Sequence, residues 1–378
     1  MSSDLLVLAA LATICIILTP LFKDSKYFKR LNSPYINSEE PKIPTITQAV
    51  TIKADNTKTI VLLTDQFLPT TFAGSEISAY ETIKYMRLRG HKIIIYVANY
   101  KVSSYDDFPI YKYDVHNQLC KDRIIHSDIV LYQFGKNAND FQLIQERKKP
   151  VYIMIHLINY CDWFLGHKST FKTCVVYNSR YVQDAFPTIH DNMRMIPYVD
   201  TKSFTNLRSE TIQNNVVCLI NCNKNKGSSQ LYDIAEKMPN VQFLAVKGAY
   251  GEQDIRNPKP GNLTYLENQK NIHNVFKKVG ILLMPSHNET WGRTAVEAMA
   301  SGIPVIHSEA GGLVECVGGA GVLCERDNID AWCQAIRRIL GDRAYRESLR
   351  QNGFHRVYEI EKEQIRGRRE LIYKIENS

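Results

Sequence analysis

Two glutamates in the second half of the chain have a spacing that could do chemistry. Glu289 and Glu297 are separated by seven residues within the segment 285–315, and Gly292 between them keeps the turn free of a side chain. Glu289 is predicted in a loop and Glu297 on a helix, where the two carboxylates could accept hydrogen bonds from vicinal hydroxyls of a sugar and of a ribose. For the two glutamates alone, the simpler interpretation is that one lies on a solvated helix face and the other caps a helix, because charged residues are mostly solvated.

Three glycine-containing turns lie where a predicted strand leads into a predicted helix. Such a turn lets the backbone approach an anion closely, and the start of the helix favours negative charge. Lysines on the second turn suit a diphosphate, and bare N–H groups on the third could form a nest for a phosphate or sugar oxygen. Each could also be only a tight or solvated turn. The residues are Gly74 on the first turn, Lys224, Lys226 and Gly227 on the second, and Gly311, Gly312 and Leu313 on the third.

The elements that must position these turns alternate between short apolar runs and stretches with helical spacing. A βαβ order implies parallel sheets with right-handed crossovers, and ligands then bind beyond the carboxyl ends of the strands. Two such α/β units would place the natural site in the cleft between them. We predict strands at 59–64, 91–98, 128–133, 151–156, 173–178, 215–221, 241–246, 280–286 and 302–308, and helices at 77–90, 230–238, 293–301, 328–340 and 342–374.

The N-terminal segment has a different character. Residues 5–22 are mainly apolar and carry no charge. The length of this segment is close to the minimum of roughly 17 residues for a membrane-spanning helix. The basic residues Lys23, Lys26, Lys29 and Arg30 follow this segment, so the positive-inside rule predicts an anchor with the following body in the cytoplasm. A cleaved signal peptide is the alternative, although its basic region would precede the apolar core.

Composition narrows the class of protein. Of 378 residues, 44% are hydrophobic and 23% charged, which excludes a disordered chain, a fibre and a coiled coil. The net charge of +8 comes without a Lys/Arg block, so we expect phosphate-bearing ligands or anionic lipid and no nucleic-acid partner. Nine scattered cysteines without a C-x-x-C pair favour reduced thiols over disulfides or a zinc site.

An ordered set of residues within 281–340 closely resembles the C-terminal domain of the family 4 retaining glycosyltransferases, which have the GT-B fold. Weaker matches in the same order extend the resemblance to about 59–350, at Gly74, Arg89-Gly90-His91, Asn178-Ser179, 196–200 and Lys226-Gly227. The set within 281–340 comprises Pro285, Ser286, Glu289, Gly292, Glu297, Ala298, Met299, Ala300, Ser301, Gly302, Pro304, Val305, Gly311, Gly312, Leu313, Glu315 and Gly321.

The resemblance implies a donor, a UDP- or GDP-sugar, held mainly by the second domain. Its implied catalytic group is Glu289 on the donor sugar, Lys226 on the leaving diphosphate, and His156 near the transferred sugar. A histidine with a purely structural hydrogen bond is the alternative for His156. The implied donor-binding residues are Glu297 on the ribose, Gly74, Lys224 and Gly227 near the diphosphate, and Gly311, Gly312 and Leu313 on phosphate or sugar.

Departures from the family pattern leave the donor open. Asn221 stands where relatives often carry an arginine, five residues before Lys226, and Lys224 could replace that charge. The first loop has Gly-Ser instead of Gly-Gly, and Tyr198 replaces an Asn-Gly pair. No D-x-D triplet occurs, so we expect transfer without a metal or other cofactor, with Lys226 and helix N-termini stabilising the departing phosphate.

These observations predict an α/β protein of GT-B fold with two facing Rossmann-like domains. The expected organisation is an anchor at 1–22, a linker at 23–57, an acceptor-side domain at 58–205, a nucleotide-sugar domain at 206–350 and a C-terminal helix at 351–378 that returns to the first domain. Acceptor specificity is expected in the loops 99–126 and 157–172.

The expected function is retaining transfer of a sugar, a hexose by preference, from a nucleotide-diphosphate sugar to a hydroxyl of a glycan, glycolipid or glycoprotein. A degenerate glycosyltransferase-like scaffold or carbohydrate-binding protein is the alternative, and Asn221 is its best support. An epimerase or a phosphorylase on a similar fold is a third possibility. A dehydrogenase is disfavoured because no G-x-G-x-x-G follows the first strand.

Overall fold

The computed structural model describes residues 57–133, 143–144, 148–156, 172–211, 213–249 and 251–378. The predicted anchor at 1–22, all but the last residue of the linker at 23–57, and nearly all of the loop 157–172 lie outside these residues. Within the ranges described, no helix combines the length and the apolar character that a membrane span requires.

The described body alternates strands and helices, as its sequence predicts. Its helices are α1 (Gly74–Leu88), α2 (Gln118–His126), α3 (Arg180–Ala185), α4 (Arg208–Thr211), α5 (Ser228–Lys237), α6 (His273–Phe276), α7 (Arg293–Ala300), α8 (Gly312–Val317), α9 (Ile329–Gly341) and α10 (Arg343–Glu376). Its strands are β1 (Thr59–Thr64), β2 (Lys92–Val97), β3 (Ser104–Tyr105), β4 (Phe108–Lys112), β5 (Ile129–Gln133), β6 (Val151–Ile155), β7 (Thr173–Tyr177), β8 (Asp191–Arg194), β9 (Val216–Ile220), β10 (Phe243–Val246), β11 (Leu263–Leu266), β12 (Val279–Met284), β13 (Val305–His307) and β14 (Val322–Leu323).

These strands form two sheets, one in each domain. The first has the order β3-β4-β2-β1-β5-β6-β7-β8, and the second has the order β11-β10-β9-β12-β13-β14. The pairs are parallel except for the short β3–β4 hairpin. Apolar clusters cover both faces of each sheet, which explains why the central strands are apolar throughout instead of alternating.

Several predicted bounds need correction. The strand predicted at 302–308 is only Val305–His307, because Gly302 takes a positive φ of 74° and the amides of Gly302 and Ile303 bond back to α7. Helix α1 begins at Gly74 instead of 77. The expected acceptor loop 99–126 contains β3, β4 and α2.

The last helix joins the two domains. It begins at Arg343, as the helix predicted at 342–374 requires and before the boundary expected at 351, since the Asp342 side chain accepts a hydrogen bond from the amide of Tyr345 at 2.9 Å. Its 34 residues span about 51 Å at 1.5 Å per residue. The C-terminal end packs Leu371, Ile372 and Ile375 into the core of the first domain, so the helix does return there.

Candidate functional site

A cavity of about 450 Å³ lies between the carboxyl ends of the two sheets. Polar residues that directly end or follow a strand line it: Gln133 at β5, His156 after β6, Asn178 after β7, Asn221 after β9 and Lys247 after β10. This is the edge at which doubly wound sheets bind ligands. Both domains therefore contribute residues to one site, each forming one wall of the cavity.

Lys226 and Glu289 meet on the second-domain wall of this cavity. The ammonium Nζ of Lys226 lies 2.6 Å from Oε1 of Glu289, and the Ser286 hydroxyl donates to the same oxygen at 3.0 Å. Both side chains are partly exposed, at 23% for Lys226 and 13% for Glu289. The pair is therefore preformed and still open to a ligand.

The turn that carries Lys226 depends on its glycine. Gly227 has a φ of 89°, and a Cβ atom at this position would collide with Pro285. The Asn223 side chain accepts a hydrogen bond from the amide of Lys226 at 2.9 Å and holds the turn that precedes α5. Geometry thus requires the glycine of the Lys-Gly sequence, because only glycine permits this turn beside Pro285.

Glu297 is held away from the cavity by an arginine one helical turn before it. Arg293 Nε lies 2.8 Å from Glu297 Oε1, and the same guanidinium donates to the carbonyl of Tyr198 in the connection between the domains. Burial raises the pKa of the Glu297 carboxyl, and the Arg293 charge opposes that effect. Arg293 lines the cavity, while Glu297 lies behind it.

His156 has a defined partner on the first-domain wall. Its Nε2 atom lies 3.1 Å from Oε1 of Gln133, and Nε2 of Gln133 donates to the carbonyl of Ser75 at 3.3 Å. Because a carbonyl can only accept, the Gln133 oxygen must face the imidazole, which fixes the proton of a neutral His156 on Nε2. Burial lowers the pKa of His156 to about 4, so the ring is neutral near pH 7.

Thr290 connects the two walls. Its hydroxyl donates to the carbonyl of His156 at 2.9 Å and accepts from Nδ2 of Asn178 at 3.0 Å. A second contact between the domains lies beside it, where the Glu315 carboxylate accepts from the amides of Arg180 and Tyr181 at 2.8 and 3.3 Å. These contacts join the two domains beside the cavity.

Carboxylates also line the first-domain wall. Glu76 lies in the first turn of α1, where its Oε2 accepts from the Ser75 hydroxyl at 2.8 Å, and Asp65 follows β1. Burial raises the pKa of Glu76, and the nearby Asp65 charge adds to the rise. Gly74, at the start of α1, lies on the same wall with open space above it.

Not all residues predicted to bind a donor lie on the cavity. Leu313 belongs to the hydrophobic core and its amide donates to the carbonyl of Ala310, so neither its side chain nor its N–H reaches the cavity. Gly312 donates to the carbonyl of Glu289 at 2.8 Å, and Gly311 lies against the Tyr181 ring. These two glycines permit close packing of the Glu289 loop instead of forming an open nest.

Lys224, which was expected to replace the charge of a missing arginine, does not line the cavity. Lys224 is exposed and lies outside the cavity lining, and its carbonyl accepts from the Gly227 amide and from Arg326. Asn221 does line the cavity, with a φ of 69°, and its Oδ1 accepts from Asn223 and Gln253. The cation beside it is Lys247, which pairs with Glu267 at 2.6 Å.

Sequence reasoning missed Gln133, Thr290, Arg293 and Lys247 as cavity residues. A signal for two of them was present: Gln133 and Lys247 are polar residues directly at the end of apolar strands, where a parallel sheet places its ligands. Thr290 and Arg293 lay inside the Glu289–Glu297 segment without a distinguishing pattern. Their roles depend on which residues the other domain brings against them.

Comparisons with known proteins agree with this architecture. A family model described as glycosyl transferases group 1 matches residues 202–356. The capsular polysaccharide biosynthesis glycosyltransferase CapM of Staphylococcus aureus is 26% identical over 149 residues, which cover 35% of this chain and 38% of CapM. The D-inositol 3-phosphate glycosyltransferase of Nocardia farcinica is 35% identical over 85 residues, 22% of this chain and 18% of that protein. The chain thus aligns with well under half the length of these relatives.

Solved structures are similar over most of the chain. A glycosyltransferase from Rickettsia africae has a TM-score of 0.66 at 17% identity, covering 84% of this chain and 98% of that one. The Anabaena protein HepE in complex with UDP-glucose also has a TM-score of 0.66, at 18% identity, covering 83% and 99%. Residues 202–356 therefore match the group 1 glycosyl transferase model, and the described body of the chain has a GT-B-like fold.

Proposed function

We propose that the protein is a family 4 retaining glycosyltransferase that moves a sugar from a nucleotide-diphosphate sugar to a hydroxyl of a glycan, glycolipid or glycoprotein. The observation that carries this proposal is the Lys226–Glu289 pair facing His156 across a cavity shared by two Rossmann-like domains. The group 1 family match and the UDP-glucose complex of HepE support a nucleotide-sugar donor.

Charge explains how such a site would work. As the bond between C1 and the phosphate oxygen breaks, negative charge develops on the diphosphate, and a preorganised cation there lowers the barrier. Lys226 supplies that cation without a metal ion, and Glu289 holds it in place before the donor binds. C1 then bonds to the acceptor oxygen on the same face, and the acceptor proton passes to the leaving phosphate.

The binding of the nucleotide follows from the same wall. The Glu297 carboxylate would accept hydrogen bonds from the ribose hydroxyls. This requires the hydrogen bond from Arg293 to Glu297 to break first. Arg293 retains its second partner, the Tyr198 carbonyl, and gains the donor's phosphates. His156, neutral and with its proton on Nε2, offers Nδ1 as an acceptor for a sugar hydroxyl.

The test is a screen of the full chain against UDP-, GDP-, ADP- and CMP-sugars by thermal shift and donor hydrolysis, beside Glu297→Gln. One nucleotide class should stabilise the wild type, by about 2.7 kcal/mol at a hundredfold its dissociation constant, and the variant much less. Glu236→Gln is the matched control, because Glu236 is exposed on α5 and its carboxylate lies 3.6 Å from the guanidinium of Arg256 on the surface.

The stereochemistry of the product tests the retaining mechanism separately. NMR of the freshly released sugar should show the donor's anomeric configuration. Inversion would refute retention while leaving the transferase in place. A wild type that binds no nucleotide would refute the enzyme and favour the degenerate scaffold, for which the absence of an arginine at Asn221 is the supporting observation.

Membrane attachment is part of the proposal. The uncharged segment 5–22 and the basic residues after it support a single-pass anchor with the catalytic body in the cytoplasm, next to a lipid-linked acceptor. Carbonate-resistant sedimentation with membranes, together with protease access to the body from the cytoplasmic side, is the expected result. A body protected inside vesicles would contradict the orientation.

A further inference from the structure

We propose that Thr290 is a positioning residue whose hydroxyl clasps the two domains and so places the Glu289–Lys226 pair against His156. The inference rests on the proposed function for its catalytic consequence, but the clasp itself is a property of the ligand-free protein. The interdomain clasp consists of the Thr290 hydroxyl, the Asn178 amide and the His156 carbonyl.

The hydroxyl of Thr290 has both of its roles filled by the other domain. Its proton goes to the carbonyl of His156 at 2.9 Å, and it accepts the Asn178 amide at 3.0 Å. A hydroxyl has one proton to donate, so these two partners set its orientation fully. The two hydrogen bonds of the Thr290 hydroxyl thus cross the cleft instead of staying within its own loop.

The first-domain partners of the clasp lie at the ends of paired strands. His156 and Asn178 directly follow β6 and β7, which pair in parallel up to Ile155 and Tyr177. Asn178 is buried, at 3% exposure. The clasp therefore ties the second domain to the central sheet of the first domain and not to a surface loop.

The loop around Thr290 is closely packed against its own domain. The Gly312 amide bonds to the carbonyl of Glu289 at 2.8 Å, and a Cβ at Gly312 would collide with the carbonyl of Thr290. Trp291, the next residue, is 2% exposed. Because the loop is fixed on both sides, the position of the Thr290 hydroxyl determines where the neighbouring Glu289 and its partner Lys226 stand.

One set of bonds therefore aligns both halves of the catalytic group. The clasp ends on the backbone of His156 itself, while its other end is the residue next to Glu289. Opening the cleft would break the clasp and separate the two groups together. Closure and alignment are the same event in this geometry.

The test compares Thr290→Val, which removes the hydroxyl and keeps the shape, with Thr290→Ser, which keeps the hydroxyl. Thr205→Val is the matched control, since the Thr205 hydroxyl is exposed and bonds to Lys202 within its own turn at 2.9 Å. Each variant is made in the full chain and checked by thermal melting.

Hydrogen exchange followed by mass spectrometry reads the clasp without any substrate. The amides of Arg180 and Tyr181 bond to Glu315 across the cleft and so report its opening. Thr290→Val should speed exchange in the peptide that contains them about tenfold, as expected when a closing equilibrium loses hydrogen bonds. Thr290→Ser and Thr205→Val should match the wild type.

Turnover of the donor reads the positioning role. Thr290→Val should lower kcat about ten- to a hundredfold with little change in KM, because the proposed donor contacts lie mainly in the second domain. Thr290→Ser should recover most of the rate. Asn178→Ala should act through the same hydroxyl, so Thr290→Val/Asn178→Ala should cost less than the sum of the single changes.

Three results would overturn the proposal. The first is exchange and kcat within twofold of the wild type in Thr290→Val. The second is equal damage by valine and serine, which would assign the effect to shape. The third is full additivity with Asn178→Ala. If the wild type turns over no donor, the proposed function fails, and the exchange measurement still decides whether the clasp exists.

Discussion

The two walls of the cleft differ in charge and in how that charge is satisfied. The second-domain wall carries its cations in ion pairs within the same domain, as Lys226–Glu289 and Arg293–Glu297. Among the described lining residues, the first-domain wall has no lysine or arginine, and its Asp65 and Glu76 are acidic. An anionic group entering the cleft is therefore attracted to the second wall and repelled by the first.

The two walls should therefore respond differently to substitutions. On the second wall, charge stabilises charge, so the loss of one group is costly. On the first wall, neutral hydrogen bonds orient His156, so changes there should be milder and dependent on pH. Three changes separate these two kinds of dependence.

The largest effect is expected on the second wall. Lys226→Met removes the cation that faces the leaving diphosphate, and kcat should fall about 100- to 1000-fold, the cost of losing one preorganised charge stabiliser. Steady-state donor hydrolysis measures it. The control is Lys237→Met, whose ion pair with Asp330 at 2.8 Å is close in length to the 2.6 Å of Lys226–Glu289 but lies exposed on the surface, where such pairs contribute little.

A rate for Lys226→Met within tenfold of the wild type would contradict the charge asymmetry. The role of the second wall would then pass to Arg293 or Lys247. Repeating the measurement in Lys247→Met would show which of these cations the departing phosphate uses.

A smaller effect is expected on the first wall. Gln133→Glu places a carboxylate against His156, which should raise the pKa of the imidazole and charge it near neutral pH. The profile of kcat/KM against pH should gain an inflection between pH 5 and 7, with a loss of about tenfold on its acid side, where the hydrogen-bond acceptor is lost.

Gln183→Glu controls for an added charge in the same domain, because Gln183 bonds to Asn192 and does not line the cavity. Its profile should follow the wild type. An unchanged profile in Gln133→Glu would mean that Gln133 does not set the state of His156.

The smallest effect concerns stability. Burial lowers the pKa of His156 to about 4, so between pH 6.5 and 4 the unfolded chain binds more protons there than the folded chain. Above pH 6.5 the imidazole is neutral in both states and has no effect on the free energy of unfolding, and as the pH is lowered from 6.5 towards 4 it reduces that free energy progressively. His156→Gln should therefore reduce the decline of Tm between pH 7 and 5.

The decline should be reduced but not removed, because burial also lowers the pKa of His91 and His307. His126→Gln is the control, since His126 is exposed on α2. Equal pH dependence of Tm in the wild type and in His156→Gln would show that His156 is as accessible to protons when folded as when unfolded.

Much of the fold could be predicted because its signals are local. Apolar runs such as 59–64 and the helical spacing of 293–301 mark elements that pack on both faces of a parallel sheet. Short elements such as β3 and β8 were missed because two to four residues carry no period. Helix α10 was predicted at 342–374, close to its bounds of Arg343–Glu376, because the charged stretch there is amphipathic.

The site residues differ in how well they could be predicted from the sequence. Glu289 and Lys226 could be found because charged residues next to glycines stand out in one continuous segment. Leu313 was misassigned because a sequence does not reveal which backbone N–H groups are already bonded, here to Ala310. Thr290 could not be identified, because its partners Asn178 and His156 are more than a hundred residues away.

The path of α10 has a consequence for how the protein is made. The second domain's cores use the helix only up to Ile360, whereas the first domain's core needs Leu371, Ile372 and Ile375. Domains generally fold as the ribosome releases them, the N-terminal one first, at roughly 5–20 residues per second. Here the core of the first domain is completed only after the second domain has been translated, because Leu371, Ile372 and Ile375 follow that domain in the chain.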